Sequence, residues 1–295
     1  MHIGIAGVGR MGSAIALRLM ERGHTLTVWN RSVDKLKPLA DAGATVASTP
    51  AELASAVEAV ITILTNAEAI DTVYHGADGL LSGDVSGKLF IEMSTVPPDT
   101  APKLAERVRA KGAALVECPV GGTTGPARQG KLLGLMGASD EDAARARPIL
   151  DDLCRRVQHG GPVGSGAILK LAVNLPLMVY WQALGEALTL CRPLKMDAAE
   201  LIDLFANSSG GANVLPSRAH LVVAALNGVD PGPVTFNIDG GIKDIQAMLA
   251  EGRRQGTDLP VLAAALDCFK EAREQGSGDA ELSSVAAYWR SRDAR

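Results

Sequence analysis

The chain is poor in aromatics, poor in cysteine and without a surplus of either charge. Its 295 residues include only 3 Trp, 3 Tyr and 4 Phe, so its interior has to be filled by Ala, Val, Leu and Ile. The four cysteines, Cys118, Cys154, Cys191 and Cys268, show no paired spacing. That argues against a disulfide framework or a zinc site and for a reducing compartment. The 5 histidines form no sequence cluster, so a catalytic metal lacks its customary ligands. Against 33 Asp and Glu stand 29 Lys and Arg, a formal charge of -4, and no stretch concentrates basic residues. Nucleic acid and anionic membrane are therefore not expected partners. No window reads as a bilayer span, and the N-terminus lacks the basic region of a secretory signal. A cytoplasmic, metal-free protein is expected.

What is present is pattern. Over the first 160 or so residues, short β-branched runs alternate with helical periodicity. Strands are predicted at 2–6, 25–29, 59–64, 89–93 and 114–117, with 132–136 and 156–158 added at the far edge. Helices are predicted over 10–22 and through Lys35 and Leu39. Interleaving of this kind gives βαβ units and a mainly parallel sheet. Past Gly160-Gly161-Pro162 only helical periodicity persists, over 165–191, 198–206, 215–226, 242–255 and 260–274. The predicted class is α/β: a Rossmann dinucleotide-binding domain over 1–162, then an all-α domain over 163–295. Pro176 lies inside the long first helix of that domain, where its ring clashes with the Ala172 carbonyl, so a kink is predicted beside Lys170.

Gly7-Val8-Gly9-Arg10-Met11-Gly12 fits G-x-G-x-x-G between a predicted strand and a predicted helix, the context that motif requires. The first glycine permits the tight turn, the second lets backbone approach a pyrophosphate, and the third packs helix on strand. At the end of the second strand an NAD site expects a carboxylate for the ribose hydroxyls. Here stand Asn30, Arg31 and Ser32. Arg31 attracts a 2′-phosphate and its neighbours can donate to one, which favours NADP(H) over NAD(H). The other reading makes Arg31 a surface residue and gives the ribose to Asp34.

The run from Gly164 to Asn174 holds one lysine and one asparagine in an apolar stretch. Lys170 and Asn174 are four apart, hence on one helical face. A buried ammonium needs a partner or a task. The plain alternative is a lysine that snorkels to water. A nucleotide signature elsewhere in the chain favours a proton-transferring role, since burial brings a lysine towards working pH.

Taken together, these features resemble the β-hydroxyacid dehydrogenase family, which includes 3-hydroxyisobutyrate dehydrogenases and glyoxylate/succinic semialdehyde reductases. Five blocks carry the resemblance in family order: residues 7–12; Phe90-Ile91-Glu92-Met93-Ser94-Thr95; Glu117-Cys118-Pro119-Val120-Gly121-Gly122; 164–174; and 236–244. The resemblance implies hydride transfer between NADP(H) and a small anionic β-hydroxy acid or aldehyde acid. It also implies a homodimer or homotetramer built through the helical domain. Lys170 matches the family's catalytic lysine and Asn174 its substrate-side amide. Thr95 matches the threonine bordering nicotinamide and substrate, and Leu64, Thr65 and Asn66 the cofactor loop after the third strand. Phe236 matches a substrate-pocket aromatic, and Lys243 and Asp244 the pair that closes over cofactor and substrate. Gly121, Gly122 and Thr123 stand in the substrate loop, where the usual pattern is Pro-Val-Ser-Gly-Gly. Gly121 thus replaces a serine whose hydroxyl would meet the substrate, and Thr123 or Thr124 is the available substitute. Thr65 stands where proline is common. The rival readings are an imine reductase-like NADPH enzyme, which would generally lack the lysine, and a non-catalytic NADP-binding protein. Cys118, Tyr180 and Trp181 are expected to be packing residues, Asp239 a cap or turn residue, and 138–147 a solvated helix face.

Overall fold

The computed structural model describes residues 1–291. It divides into two compact units, Met1–Lys170 and a second beginning at Leu171. In the first unit the chain runs β1 (His2–Ala6), α1 (Arg10–Glu21), β2 (Thr25–Trp29), α2 (Lys37–Asp41), β3 (Thr45–Val46), α3 (Pro50–Ala56), β4 (Ala59–Thr62), α4 (Ala67–His75), β5 (Leu89–Glu92), α5 (Thr100–Ala110) and β6 (Ala114–Glu117). It continues through β7 (Val120–Gly121), α6 (Thr124–Arg128), β8 (Leu132–Met136), α7 (Asp140–Leu153) and β9 (Cys154–His159) into α8 (Ser165–Leu190).

The six-stranded sheet has the order β3-β2-β1-β4-β5-β6 and is parallel throughout. The order reverses between β1 and β4, and in sheets of this kind ligands bind beyond the strand C-termini at that switch point. β4, β5 and β6 are buried at every position, which is why they read as continuous apolar runs rather than alternating ones. One face packs Ile3, Ile5, Ile61, Ile91 and Val116 against α1 and α7; the other packs Val60, Phe90 and Leu115 with Leu53, Tyr74 and Leu104.

The two strands expected at the far edge do not extend this sheet. β8 instead pairs antiparallel with β7 and parallel with β9 in a separate three-stranded sheet, joined to β6 through a Glu117–Gly137 bridge. β7, only two residues long, has no periodicity to reveal it. β3 and α3 were likewise outside the expectation. A capping box starts α3: Thr49 accepts from Glu52 N–H at 3.1 Å, and Glu52 reaches back to Ser48 N–H at 2.7 Å.

The second unit holds the rest of α8, then α9 (Ala198–Ala206), α10 (Leu215–Leu226), α11 (Ile238–Arg254), α12 (Pro260–Ala272) and α13 (Val285–Ser291). Its core gathers Leu171, Met178, Trp181, Leu184 and Leu188 of α8 with Ile242, Ile245, Phe269 and Val285. α8 runs through Pro176 as one helix. It corrects one expectation: over 26 residues, with a mean hydropathy of 1.4 in its most apolar window, it is long and apolar enough by composition to cross a membrane. The reason is core duty, since one stripe of it lines this unit's interior. α11 begins four residues before the predicted start. Gly240 and Gly241 weaken its first turn as a helical signal, but Asn237 caps it by accepting from Gly240 N–H at 3.0 Å.

Candidate active site

The glycine loop occupies the switch point. Gly7 has φ +101°, a left-handed conformation that a side chain disfavours. A Cβ at Gly12 would overlap the Gly7 carbonyl oxygen, so α1 sits directly on the turn. Gly9, the N-terminal flank of α1, meets nothing within 4 Å. Open space over unpaired helix N–H groups suits a pyrophosphate, so these residues fit a dinucleotide. Val8 and Met11 belong to the core that fixes this loop; Arg10 is exposed.

Asn30 holds the neighbouring loop in place. Its Oδ1 accepts from Val8 N–H at 3.1 Å, and its Nδ2 donates to the Ser32 carbonyl at 3.0 Å. Asn30 is thereby engaged within the chain, whereas Arg31 and Ser32 are exposed beyond β2. Asp34 lies in the short 3₁₀ turn that follows.

The loops after β4 and β5 are joined by a buried polar network. Glu92 accepts from the Thr62 hydroxyl at 2.6 Å and from Ser94 N–H at 2.7 Å, and Tyr74 OH lies 2.9 Å from Thr62 Oγ1. Ser94 Oγ in turn accepts from Leu64 N–H at 2.7 Å. Leu64 and Ser94, the residue before Thr95, are thus fixed through one carboxylate. Burial pushes the Glu92 carboxyl above the ordinary carboxylate range, against the pull of the Ser94 and Thr62 hydrogen bonds. Asn66 caps α4 by accepting from Ala69 N–H at 2.8 Å, next to exposed Thr65.

In the loop after β7, Gly122 has φ +123°, and a Cβ there would press on Leu132 at 2.9 Å. Gly121 is different: a Cβ would meet Leu133 at an ordinary 3.5 Å. The missing serine is therefore not excluded by space. Thr123 is the flanking residue of α6 and makes no side-chain cap bond.

Lys170 is only 8% exposed. Asn174, half-buried, follows one turn later on the same helix. The start of that helix is anchored by Glu117, whose Oε1 accepts from Gly164 N–H and, at 2.8 Å, from Gly166 N–H. Burial pushes the Glu117 carboxyl up to about 7, while the Gly166, Gly164 and Ala167 N–H groups pull it down.

The remaining predicted residues lie in the second unit. Phe236 precedes the α11 cap and is partly buried. Lys243 Nζ lies 3.3 Å from Asp244 Oδ1, with Asp244 buried and Lys243 half-exposed. The segment carrying Phe236 is pinned by Glu281, which accepts from Thr235 N–H at 2.7 Å and Thr235 Oγ1 at 3.0 Å and lies 3.5 Å from Arg218. Asp239 is not the α11 cap; Asn237 is. Among the described residues, no three His, Cys, Asp or Glu side chains group to hold a metal ion.

Residues 2–161 match the family model of the NAD binding domain of 6-phosphogluconate dehydrogenase. Residues 164–289 match that of the NAD-binding domain of NADP-dependent 3-hydroxyisobutyrate dehydrogenase. Glyoxylate/succinic semialdehyde reductase 1 of Arabidopsis thaliana is 33% identical over 97% of each chain. The chain belongs to the β-hydroxyacid dehydrogenase family. A second member, 3-hydroxyisobutyrate dehydrogenase of Pseudomonas aeruginosa, is 31% identical over 99% of each chain. The fold matches the crystal structure of 3-hydroxyisobutyrate dehydrogenase from Salmonella typhimurium with a TM-score of 0.87 over 98% of this chain and 99% of that one, at 23% identity. Like the family, the protein is an NAD(P)-dependent oxidoreductase.

Within this family framework, reading the sequence gave no role to Glu92 or Glu117, although both stood in the quoted blocks. A signal was present. Two apolar strands, Leu89-Phe90-Ile91-Glu92 and Ala114-Leu115-Val116-Glu117, each end on a glutamate at the same place. A carboxylate that closes a fully buried strand has to find donors.

Proposed function

We propose that this enzyme interconverts a small β-hydroxy acid and its semialdehyde or 2-oxo acid, with Lys170 as the proton-transferring group. One observation carries the reading: a lysine 8% exposed on an apolar helix, in a chain whose other end presents an open glycine loop at a helix N-terminus. The bound nicotinamide supplies or accepts the hydride. Lys170 as an ammonium gives its proton to the carbonyl oxygen during reduction, and as a neutral amine takes it from the hydroxyl during oxidation. Asn174 orients the amine or the hydroxyl without adding charge. The Gly121 and Gly122 N–H groups and Thr123 receive the anionic head group, Thr95 borders both ligands, and Phe236 walls the substrate. Lys243 serves the cofactor and Asp244 the substrate. Gly7 to Gly12 hold the pyrophosphate, and Leu64, Thr65 and Asn66 flank the nicotinamide half.

Exposed Arg31, with no carboxylate beside it at the end of β2, supports NADP(H) over NAD(H). Exposed apolar side chains on α8, Val173 at 48% and Leu190 at 81%, support a homodimer or homotetramer through the helical unit. Four cysteines scattered through the sequence with no paired spacing support a cytoplasmic setting.

The test is turnover of glyoxylate, succinic semialdehyde, methylmalonate semialdehyde and sulfolactaldehyde with NADPH and with NADH, in wild type and Lys170→Ala. NADPH-dependent reduction of one aldehyde acid is expected. Lys170→Ala should lose about 10³-fold in kcat while NADPH affinity stays within about twofold. Retained turnover in Lys170→Ala would remove the lysine from the mechanism.

A further inference from the structure

β5 and β6 end on two glutamates in direct register, Glu92 beside Glu117. They are 1% and 2% exposed. Their side chains do different work. Glu92 ties together the loops after β4 and β5. Glu117 crosses instead to α8 and takes its first N–H groups, those of Gly164 and Gly166. These are donors that a helix leaves unpaired, at the positive end of its dipole. Space enforces the approach: a Cβ at Gly166 would overlap the Leu135 carbonyl, and one at Gly137 would overlap Glu117 Oε1. Lys170 stands one turn beyond Gly166, on the same helical face.

We propose that Glu117 is the positioning residue for Lys170: it fixes the first turn of α8 and, when ionised, holds the proton on the lysine. This rests on the reading of Lys170 as the proton-transferring group. A negative charge about one turn away favours the ammonium and disfavours the free amine. Glu92 faces Glu117 from β5 and opposes its ionisation. Lys170 follows Gly166, one of the Glu117 donors, by one turn of α8, and Cys118 is the neighbour of Glu117 on the chain. The Gly137 and Pro162 segments contribute backbone alone. Glu117 therefore ionises against one carboxylate, and the protonation of Lys170 follows its charge.

Glu117→Gln keeps an acceptor for the α8 N–H groups and removes the charge. The readout is Lys170 itself, followed by ¹³C NMR of the reductively methylated full-length enzyme and assigned with Lys170→Arg. In Glu117→Gln the Lys170 midpoint is expected about one pH unit lower than in wild type, a tenfold loss of proton affinity. Glu117→Asp should restore part of it. The pH at which alcohol oxidation reaches half its plateau should fall by the same amount, with the cofactor KM unchanged. Coincident Lys170 midpoints in wild type and Glu117→Gln would overturn the proposal. Wild type provides a second measurement that needs no variant. The Gly164 and Gly166 amide protons should titrate with Glu117, and the Lys170 resonance should inflect at the same pH; the absence of that shared inflection would also overturn it. An active Lys170→Ala enzyme would sink the catalytic reading alone, since both NMR comparisons decide the coupling without turnover.

Discussion

Both units bury glutamates, and the helical unit adds an arginine to the donors it offers them. In the sheet unit, Glu92 and Glu117 are held by hydroxyl and backbone N–H donors. In the helical unit, Glu251 takes the Arg254 guanidinium, with Nε at 2.8 Å, and Glu281 faces Arg218. The consequence runs through proton affinity. Burial dominates for Glu92 and Glu117 and pushes both upward. The Arg254 hydrogen bonds dominate for Glu251 and pull it downward. The arginine-held carboxylate of Glu251 is kept charged, while that of Glu117, held by neutral donors, keeps its proton within reach of working pH. The second kind lies beside the loops and the helix that carry Thr95 and Lys170.

The largest effect that separates the two kinds is expected from Glu281→Ala. It removes the carboxylate beside Arg218 and the acceptor of two Thr235 donors, and should cost about 3 kcal/mol of unfolding free energy measured by denaturant titration. A cost below about 1 kcal/mol would mean that the arginine pairing is dispensable and the comparison false.

The pH dependence of stability sharpens the contrast next. Glu117, raised from 4.5 to about 7, contributes stability that is complete below pH 4.5 and lost as pH rises to about 7. Glu251 is lowered, so its contribution is present above pH 4.5 and lost as pH falls through its folded value. The loss on the Glu117 side amounts to at most about 3 kcal/mol. Unfolding free energies measured across that range should fall with pH in wild type and flatten in Glu117→Gln; an unchanged slope would contradict the assignment.

The smallest effect belongs to Gly121→Ser. The new Cβ meets Leu133 at an ordinary distance, so stability should move by less than about 0.5 kcal/mol. Relative kcat/KM among the aldehyde acids should nonetheless change by about tenfold, because a hydroxyl enters the loop proposed to receive the substrate. Unchanged ratios would take that loop out of substrate selection.

Legibility in the sequence followed the range of the interactions involved. The glycine loop, β1, β2, α9 and α10 depend on neighbours within a few residues, and periodicity with glycine spacing located them. Lys170 was visible because an ammonium in an apolar run conflicts with its surroundings. Glu92 and Glu117 were not, because their meaning lies in a register between strands and, for Glu117, in donors 47 and 49 residues away. Asn30 shows the same limit: a residue that reads as a phosphate donor is engaged by Val8, 22 residues earlier. The β7-β8-β9 sheet depends on a two-residue strand that no local pattern announces.

The crowding of Gly137 and Gly166 around the Glu117 carboxylate bears on how relatives of this enzyme are compared. Neither glycine has chemistry to offer, yet neither position has room for a methyl group. Both would resist substitution for as long as α8 starts where it does. Constancy across a set of homologues would then mark these two glycines as strongly as Lys170, and for an unrelated reason. At this corner of the fold, invariance measures space first and reactivity second.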